Sequence, residues 1–137
     1  MYELQRSRRL YVLLVDPDPN TCDRLSVALG ERFVLRYVKT LGEAKELLRE
    51  SVPDVLICEA LLGEESGLEL CRYVRKTAFL RHIPVMILTS HTALQDKIAG
   101  FDAGADDYVV KPFDARHLLA RIRLLSRLKR IEQRRRD

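Results

Sequence analysis

The chain has 137 residues, of which 47% are hydrophobic and 32% charged, and its formal net charge is +4. This length suits one domain, and the apolar content excludes a mostly disordered chain. No apolar run approaches the roughly 18 residues of a membrane span. The three cysteines form neither a disulfide framework nor a metal-binding motif, so we expect a cytoplasmic protein without membrane contact.

The positive charge is concentrated at the C-terminus. Residues 115–137 contain nine basic and two acidic residues, a net charge of +7, whereas residues 1–114 contain 15 basic and 18 acidic residues, a net charge of −3. The basic tail leaves open a nucleic-acid-binding function for the C-terminal helix. The acidic body and the absence of any aromatic residue for base stacking after Phe113 disfavour this alternative.

Short apolar runs alternate along the chain with segments of helical spacing. Several runs are apolar almost throughout, which is typical of strands buried on both faces of a parallel sheet. Five strand–helix units with short connections predict a three-layer, doubly wound α/β domain, with the strand order still open. The runs are Leu10–Val15, Phe33–Val38, Asp54–Cys58, Val85–Thr89 and Asp107–Val110.

Capping residues and apolar spacing mark the helices. Asp18 and Pro19 predict an N-cap and a first helical position, and Gly30 and Gly104 stand where C-terminal glycines belong. The helical segments are 21–29, 41–49, 68–74, 94–103 and a last one from Asp114.

The last two helices each have one apolar face. In the last helix this face can dock on the sheet, and a further apolar series continues beyond it, as in a helical linker. The faces are formed by Leu94, Ile98 and Phe101 in the fourth helix and by Leu118, Ile122 and Leu125 in the last, with Leu124, Leu128 and Ile131 as the continuing series.

Polar residues follow each of the five predicted strands, and those at four of them suit one common site; Lys39 and Thr40, after the second strand, do not fit the set. Asp16 comes after the first strand, Glu59 after the third, Thr89 ends the fourth and Lys111 follows the fifth. Ligands of open α/β sheets bind outside the carboxyl ends of the strands. If these strands are neighbours, the group suits an anion or phosphoryl group beside acids that could hold a divalent cation.

Five blocks of the sequence carry a resemblance to a known family. They are VLLVDPDP at 12–19, PDVLICEALLGEESG at 53–67, IPVMILTS at 83–90, GADDYVVKPFD at 104–114 and LLARIRLL at 118–125. In order and spacing they resemble the response-regulator receiver domain, which accepts a phosphoryl group on an Asp in bacterial two-component signalling. The resemblance implies a flavodoxin-like (βα)5 fold with strand order 2-1-3-4-5 over residues 10–125. Residues 1–9 would form an N-terminal extension and residues 126–137 a basic helical tail or linker.

The chain departs from the family pattern at the residues that would carry the chemistry. The phosphoacceptor aligns with Glu59, and the second acid after the first strand aligns with Pro17, which has no side-chain ligand for Mg²⁺. Asp16 remains as a pocket acid, and Asp18 is an N-cap that could in principle replace the lost ligand. The expected hydroxyl, switch aromatic and Lys-Pro pair are present as Thr89, Tyr108, Lys111 and Pro112.

Glu59 has two interpretations that do not exclude each other. Its longer side chain could reach Lys111 or Thr89, either as an ion pair that holds the sheet edge or as a permanent, partial mimic of a phosphorylated Asp. We expect no catalytic residue, no resident cofactor and at most weak Mg²⁺ binding. The predicted function is a non-enzymatic receiver that acts by protein contact without phosphorylation. The alternative is a conventional Mg²⁺-dependent receiver that uses another acid.

The resemblance also implies partners and an output face. The partners would be an output domain or downstream regulator, a histidine kinase and a second copy of the chain. In transcription-factor relatives, cross-subunit ion pairs form on the fourth helix, fifth strand and fifth helix, but His117 stands here where the family places a Glu. The candidate residues on this face are Lys97, Asp102, Asp106, Asp107, Arg121 and Arg123.

Overall fold

The computed structural model describes residues 9–136, with side chains described as far as Leu128. Five parallel strands form one sheet in the order β2-β1-β3-β4-β5. This confirms the predicted fold class and the strand order that the family resemblance implied. The strands are β1 (Leu10–Val15), β2 (Phe33–Val38), β3 (Val55–Cys58), β4 (Val85–Thr89) and β5 (Asp107–Val110).

Five α-helices connect and follow the strands. The side chain of Asp18 accepts a hydrogen bond from the Asn20 N–H at 2.9 Å, and Pro19 is the first helical residue, as predicted. Gly30 and Gly104 end their helices with φ values of +66° and +117°, a region that favours glycine. The helices are α1 (Pro19–Leu29), α2 (Leu41–Glu50), α3 (Gly67–Lys76), α4 (Leu94–Ala103) and α5 (Ala115–Arg136).

The helices cover the sheet on both faces and leave its carboxyl edge to the loops. Successive side chains of a strand point to opposite faces, so Leu13 and Leu14 of β1 belong to different core clusters. Leu13 packs with residues of α2, α3 and α4, and Leu14 packs with residues of α1 and α5. In the described part of the chain, no helix has both the length and the apolar character needed to cross a bilayer.

Helix α5 docks through the predicted face. Leu118, Ile122 and Leu125 are buried in the core between α5 and the sheet. Leu124 and Leu128 are 54% and 44% exposed, so the second apolar series lies outside the core.

Helix α4 turns its apolar face to solvent, contrary to what hydrophobic spacing alone suggests. Leu94, Ile98 and Phe101 are 72%, 51% and 48% exposed. The helix packs instead through the buried Gly100 and Ala103. A Cβ atom at Gly100 would lie 3.1 Å from the Tyr108 ring, so the small residue permits the close approach to β5.

Two local features differ from the sequence prediction. Strand β3 begins at Val55 and not at Asp54, whose carboxylate accepts the Tyr11 N–H at 2.7 Å while its own N–H donates to the Tyr11 carbonyl. A small antiparallel hairpin, Leu61–Leu62 with Glu65–Ser66, follows β3 and turns at Gly63, whose φ is +67°. Most of the predicted N-terminal extension (residues 1–8), and the side chains beyond Leu128 in the predicted basic tail, lie outside the described residues.

We expect the two faces of α5 to respond differently to truncation. Ile122→Ala should lower the free energy of unfolding by about 2–4 kcal/mol, because it removes a fully buried side chain and leaves a cavity. Leu124→Ala, two residues away and largely exposed, should change it by about 0.5 kcal/mol or less. Urea denaturation followed by circular dichroism measures both. Equal effects of the two substitutions would contradict the placement of this helix.

Candidate functional site

Three charged side chains meet at the carboxyl edge of the sheet. Asp16 follows β1, Glu59 follows β3 and Lys111 follows β5, so the parallel strands bring together residues far apart in the sequence. The Lys111 ammonium lies 2.7 Å from Oδ2 of Asp16 and 2.9 Å from Oε1 of Glu59. One cation therefore bridges two carboxylates, and the side chains of Asp16 and Glu59 are only 2% and 12% exposed.

Glu59 is held in its ionised form by several donors. Its second oxygen accepts the Leu61 N–H at 3.2 Å, so both carboxylate oxygens are engaged. Burial raises the pKa of Glu59, but hydrogen bonds from Thr89 and Lys111 and the charge of Lys111 outweigh this effect and lower the pKa overall. The pKa of Lys111 is raised, because burial is outweighed by its hydrogen bonds to Asp16 and Glu59.

Gly67 allows the loop after β3 to close behind Glu59. The Gly67 N–H donates to the Ala60 carbonyl at 2.8 Å. A Cβ atom at this position would lie 2.0 Å from the Glu59 carbonyl oxygen and 2.9 Å from Sγ of Cys58. Only glycine fits without moving the main chain that positions the Glu59 side chain.

The donor set at this edge does not suit the divalent cation that the family resemblance implies. Oδ1 of Asp16 accepts the Asp18 N–H at 2.8 Å, and its other oxygen contacts Lys111. Pro17 offers no side-chain ligand, and the Asp18 carboxylate caps α1. Among the described residues, no group of three or more His, Cys, Asp or Glu could hold a metal ion.

Asp18 and Pro112 lie beside the charged cluster, on the rim of a cavity of about 510 Å³ that Lys111 also lines. The Asp18 carboxylate contacts the Asn20 N–H and is exposed, whereas Asp16 is buried. The structure therefore places Asp16 in the charged cluster and Asp18 at its entrance.

Thr89 and Tyr108 connect the cluster to the loop between β4 and α4. The Thr89 side chain contacts Glu59 and lies 3.5 Å from the His91 N–H. The Tyr108 hydroxyl donates to the His91 carbonyl at 3.0 Å, and its ring lies 6.4 Å from that of Phe101. The main chain of His91 therefore lies between the two predicted residues, a contact that no sequence motif indicates.

The residues predicted for the output face do not form one cluster of interacting side chains. Arg121 contacts both carboxylate oxygens of Asp107, at 2.7 and 2.9 Å, within the same chain. Asp106 turns away, because its carboxylate accepts hydrogen bonds from Arg75 of α3 and from the Val85 N–H. The remaining candidates, Lys97, Asp102 and Arg123, are at least partly exposed and make no ion pair within the described residues.

Arg75 is a structural residue that the sequence pattern did not reveal. It donates to the carbonyl oxygens of Arg81, Ile83 and Gly104 and pairs with Asp106 at 2.7 Å. An arginine in the last turn of a helix gives no signal in the sequence that it will join two loops.

The pH dependence of stability offers a test of the Glu59 contacts. Because folding lowers the pKa of Glu59, its contribution should be complete above the pKa of the unfolded chain and disappear as the pH falls through the folded value. Glu59→Gln should therefore cost about 1–3 kcal/mol at pH 7, and the difference from wild type should shrink below about pH 4.3. Glu64→Gln, at an exposed hairpin position, is the matched control and should change little at any pH. Urea denaturation across this pH range provides the measurement, and a pH-independent cost at Glu59 would argue against the ionised contact.

Comparison with known proteins agrees with this fold. The chain is 36% identical over 124 residues to the DNA-binding dual master transcriptional regulator RpaA of Synechocystis sp., an alignment covering 89% of this chain and 52% of RpaA. It is 42% identical over 117 residues to the response regulator MprA of Mycobacterium leprae, covering 85% of this chain and 50% of MprA. The chain thus spans about half the length of these curated relatives.

Solved structures also match the fold of this chain. A putative response regulator from Chloroflexus aurantiacus matches with a TM-score of 0.83 and 33% identity, over 87% of this chain and 98% of that one. The BeF3-activated DrrB receiver domain matches with a TM-score of 0.75 and 32% identity, over 86% and 97% of the two chains. The family model of the response regulator receiver domain matches residues 12–123. The chain therefore belongs to the response regulator receiver domain family.

Proposed function

We propose that this receiver domain signals by protein contact and does not accept a phosphoryl group. The observation that carries the proposal is the Lys111 ammonium bound between Asp16 and Glu59, with Pro17 beside them. Phosphoryl transfer depends on positioning and on neutralisation of charge by a metal ion. Here the acceptor position holds a glutamate, both of whose oxygens are engaged, and one metal-ligand position holds a proline.

Glu59 would act as a fixed, partial substitute for a phosphorylated aspartate. Its carboxylate carries about one negative charge, against roughly 1.5 to 2 for a phosphate monoester. It engages Lys111 and Thr89, and Tyr108 is joined to the same region through the His91 carbonyl. This arrangement unites the two interpretations of Glu59, since the ion pair that secures the sheet edge also occupies the position of the phosphoryl group.

The alternatives have less support. A conventional receiver using Asp18 would need a carboxylate that instead caps α1 from an exposed position. Nucleic-acid binding through the C-terminal helix is supported only by the charge of that helix. The relative RpaA is described as DNA-binding, but the chain aligns with only 52% of RpaA. We therefore propose a non-enzymatic, cytoplasmic module whose partners are proteins, including an output domain or downstream regulator and a histidine kinase upstream.

The surface of α4, β5 and α5 is the proposed contact face for a second copy. The exposed Leu94, Ile98 and Phe101 form an unpartnered apolar face on α4. Because Arg121 and Asp107 already pair within one chain, apolar packing would supply most of the affinity of such a dimer.

The absence of phosphotransfer can be tested directly. The protein incubated with acetyl phosphate and Mg²⁺ should show no gain of the about 80 Da that one phosphoryl group adds. The double variant Glu59→Asp with Pro17→Asp should gain this mass, because it restores an acceptor and a possible metal ligand. Mass spectrometry of the intact protein reads out both. A stoichiometric adduct on the wild-type chain would refute the proposal.

Dimerisation through α4 has its own test, at about 300 mM NaCl so that exposed ionic contacts are screened. Ile98→Glu should weaken self-association at least about tenfold, because it would place a charge in an apolar interface. Val27→Glu, on the exposed side of α1, is the matched control and should associate like the wild type. Sedimentation equilibrium measures the constants. A wild-type chain that stays monomeric at high concentration would exclude this dimer.

A further inference from the structure

Helix α5 carries a row of arginines that the contacts described above do not use. Arg116, Arg123 and Arg127 lie within about 40° of one another around the helix axis, on the side away from the buried Leu118 and Ile122. Arg116 and Arg127 are exposed and Arg123 partly so, and none of the three makes an ion pair within the described residues. We call these three residues the arginine stripe. The sequence continues the same helical spacing with Arg130 and Arg134.

Helix α2 carries the opposite charge in a similar pattern. Glu43, Glu46 and Glu50 are exposed and lie within about 60° of one another around the axis of α2, away from the buried Ala44 and Leu48. Glu43 caps its own helix, as its carboxylate accepts the Thr40 N–H. Glu46 and Glu50 have no ion-pair partner among the described residues. These three glutamates form the glutamate stripe.

The two stripes cannot meet within one molecule. Helix α2 packs on one face of the sheet and α5 on the other, so the whole domain separates them. Between two copies, the spacings of the two stripes match. Glu46 and Glu50 are four residues apart, as are Arg123 and Arg127. Each pair therefore spans about 6 Å along a helix, so two ion pairs can form side by side.

We propose that the arginine stripe of one copy docks on the glutamate stripe of a second copy, head to tail. The contact joins two different surfaces, so it leads to chains or rings of molecules rather than to a symmetric dimer. Exposed ion pairs are individually weak and are screened by salt. The association is therefore concentration-dependent and lost at high ionic strength. It uses a different part of the surface from the apolar face of α4 and goes beyond the proposed function.

The first measurement is sedimentation velocity at about 20 mM and about 500 mM NaCl. The measurement is made on the Ile98→Glu protein, in which the proposed apolar dimer through α4 is weakened. Association through the two stripes is then measured separately from that dimer. At low salt, the weight-average sedimentation coefficient should rise with protein concentration, and at high salt it should stay at the monomer value. A monomer value at both salt concentrations would overturn the proposal.

Charge exchange identifies the surfaces. The variants Arg123→Glu with Arg127→Glu, and Glu46→Arg with Glu50→Arg, should each lower the low-salt association constant at least about tenfold. Glu43 is left unchanged because it caps α2. An equimolar mixture of the two variants should associate again, since each supplies the charge that the other needs. The matched control for the arginine variant, Arg32→Glu with Lys76→Glu, makes the same charge change at exposed positions outside both stripes and should associate like the Ile98→Glu protein.

Two further outcomes would overturn the proposal. One is association that persists in both charge-reversed variants, after thermal unfolding has shown that they are folded. The other is a parent protein that is monomeric at low salt but binds duplex DNA in a manner abolished by Arg123→Glu with Arg127→Glu. That result would assign the arginine stripe to nucleic acid.

Discussion

The bridging of Asp16 and Glu59 by Lys111 is the interaction on which the functional edge of this domain depends. Two nearly buried carboxylates at adjacent strand ends would repel each other if no cation lay between them. The Lys111 ammonium, which follows a third strand, supplies that charge. In the sequence, Lys111 lies 95 residues from Asp16 and 52 residues from Glu59. Removing Lys111 would leave both carboxylates nearly buried without their cation, which makes the ammonium the central member of the cluster.

Beyond this cluster of mutually paired charges, the domain also presents apolar and charged groups on its outer surfaces. The exposed Leu94 and Ile98 favour an apolar partner, whereas the charged rows on α2 and α5 favour partners of opposite charge. The path from Glu59 through Thr89 and His91 to Tyr108 joins the closed edge to the base of α4.

Much of this could be predicted from the sequence, since buried strands, capping residues and strand-end polar residues are local signals. Asp18 and Gly104 marked their helix ends, and Asp16, Glu59 and Lys111 were expected at one edge. The orientation of α4 was not predictable from hydropathy, because its close packing depends on Gly100 meeting Tyr108, which is a contact between elements. Asp106 and Arg75 illustrate the same limit, as their pairing links helix α3 to the loop before β5, and the two segments share no local pattern.

The close approach at Gly67 bears on how the sequence of this domain can vary. The hairpin before it is exposed at Leu61, Gly63 and Glu64, but Gly63 itself has a φ of +67°, which favours glycine. Side chains can therefore change at Leu61 and Glu64, while any side chain at 67 must displace the Glu59 carbonyl. The connection after β3 thus has exposed positions where the side chain can vary, close to two glycines that cannot be replaced without strain. Sequence drift in this loop can alter what the domain presents to a partner without disturbing the charged cluster beneath it.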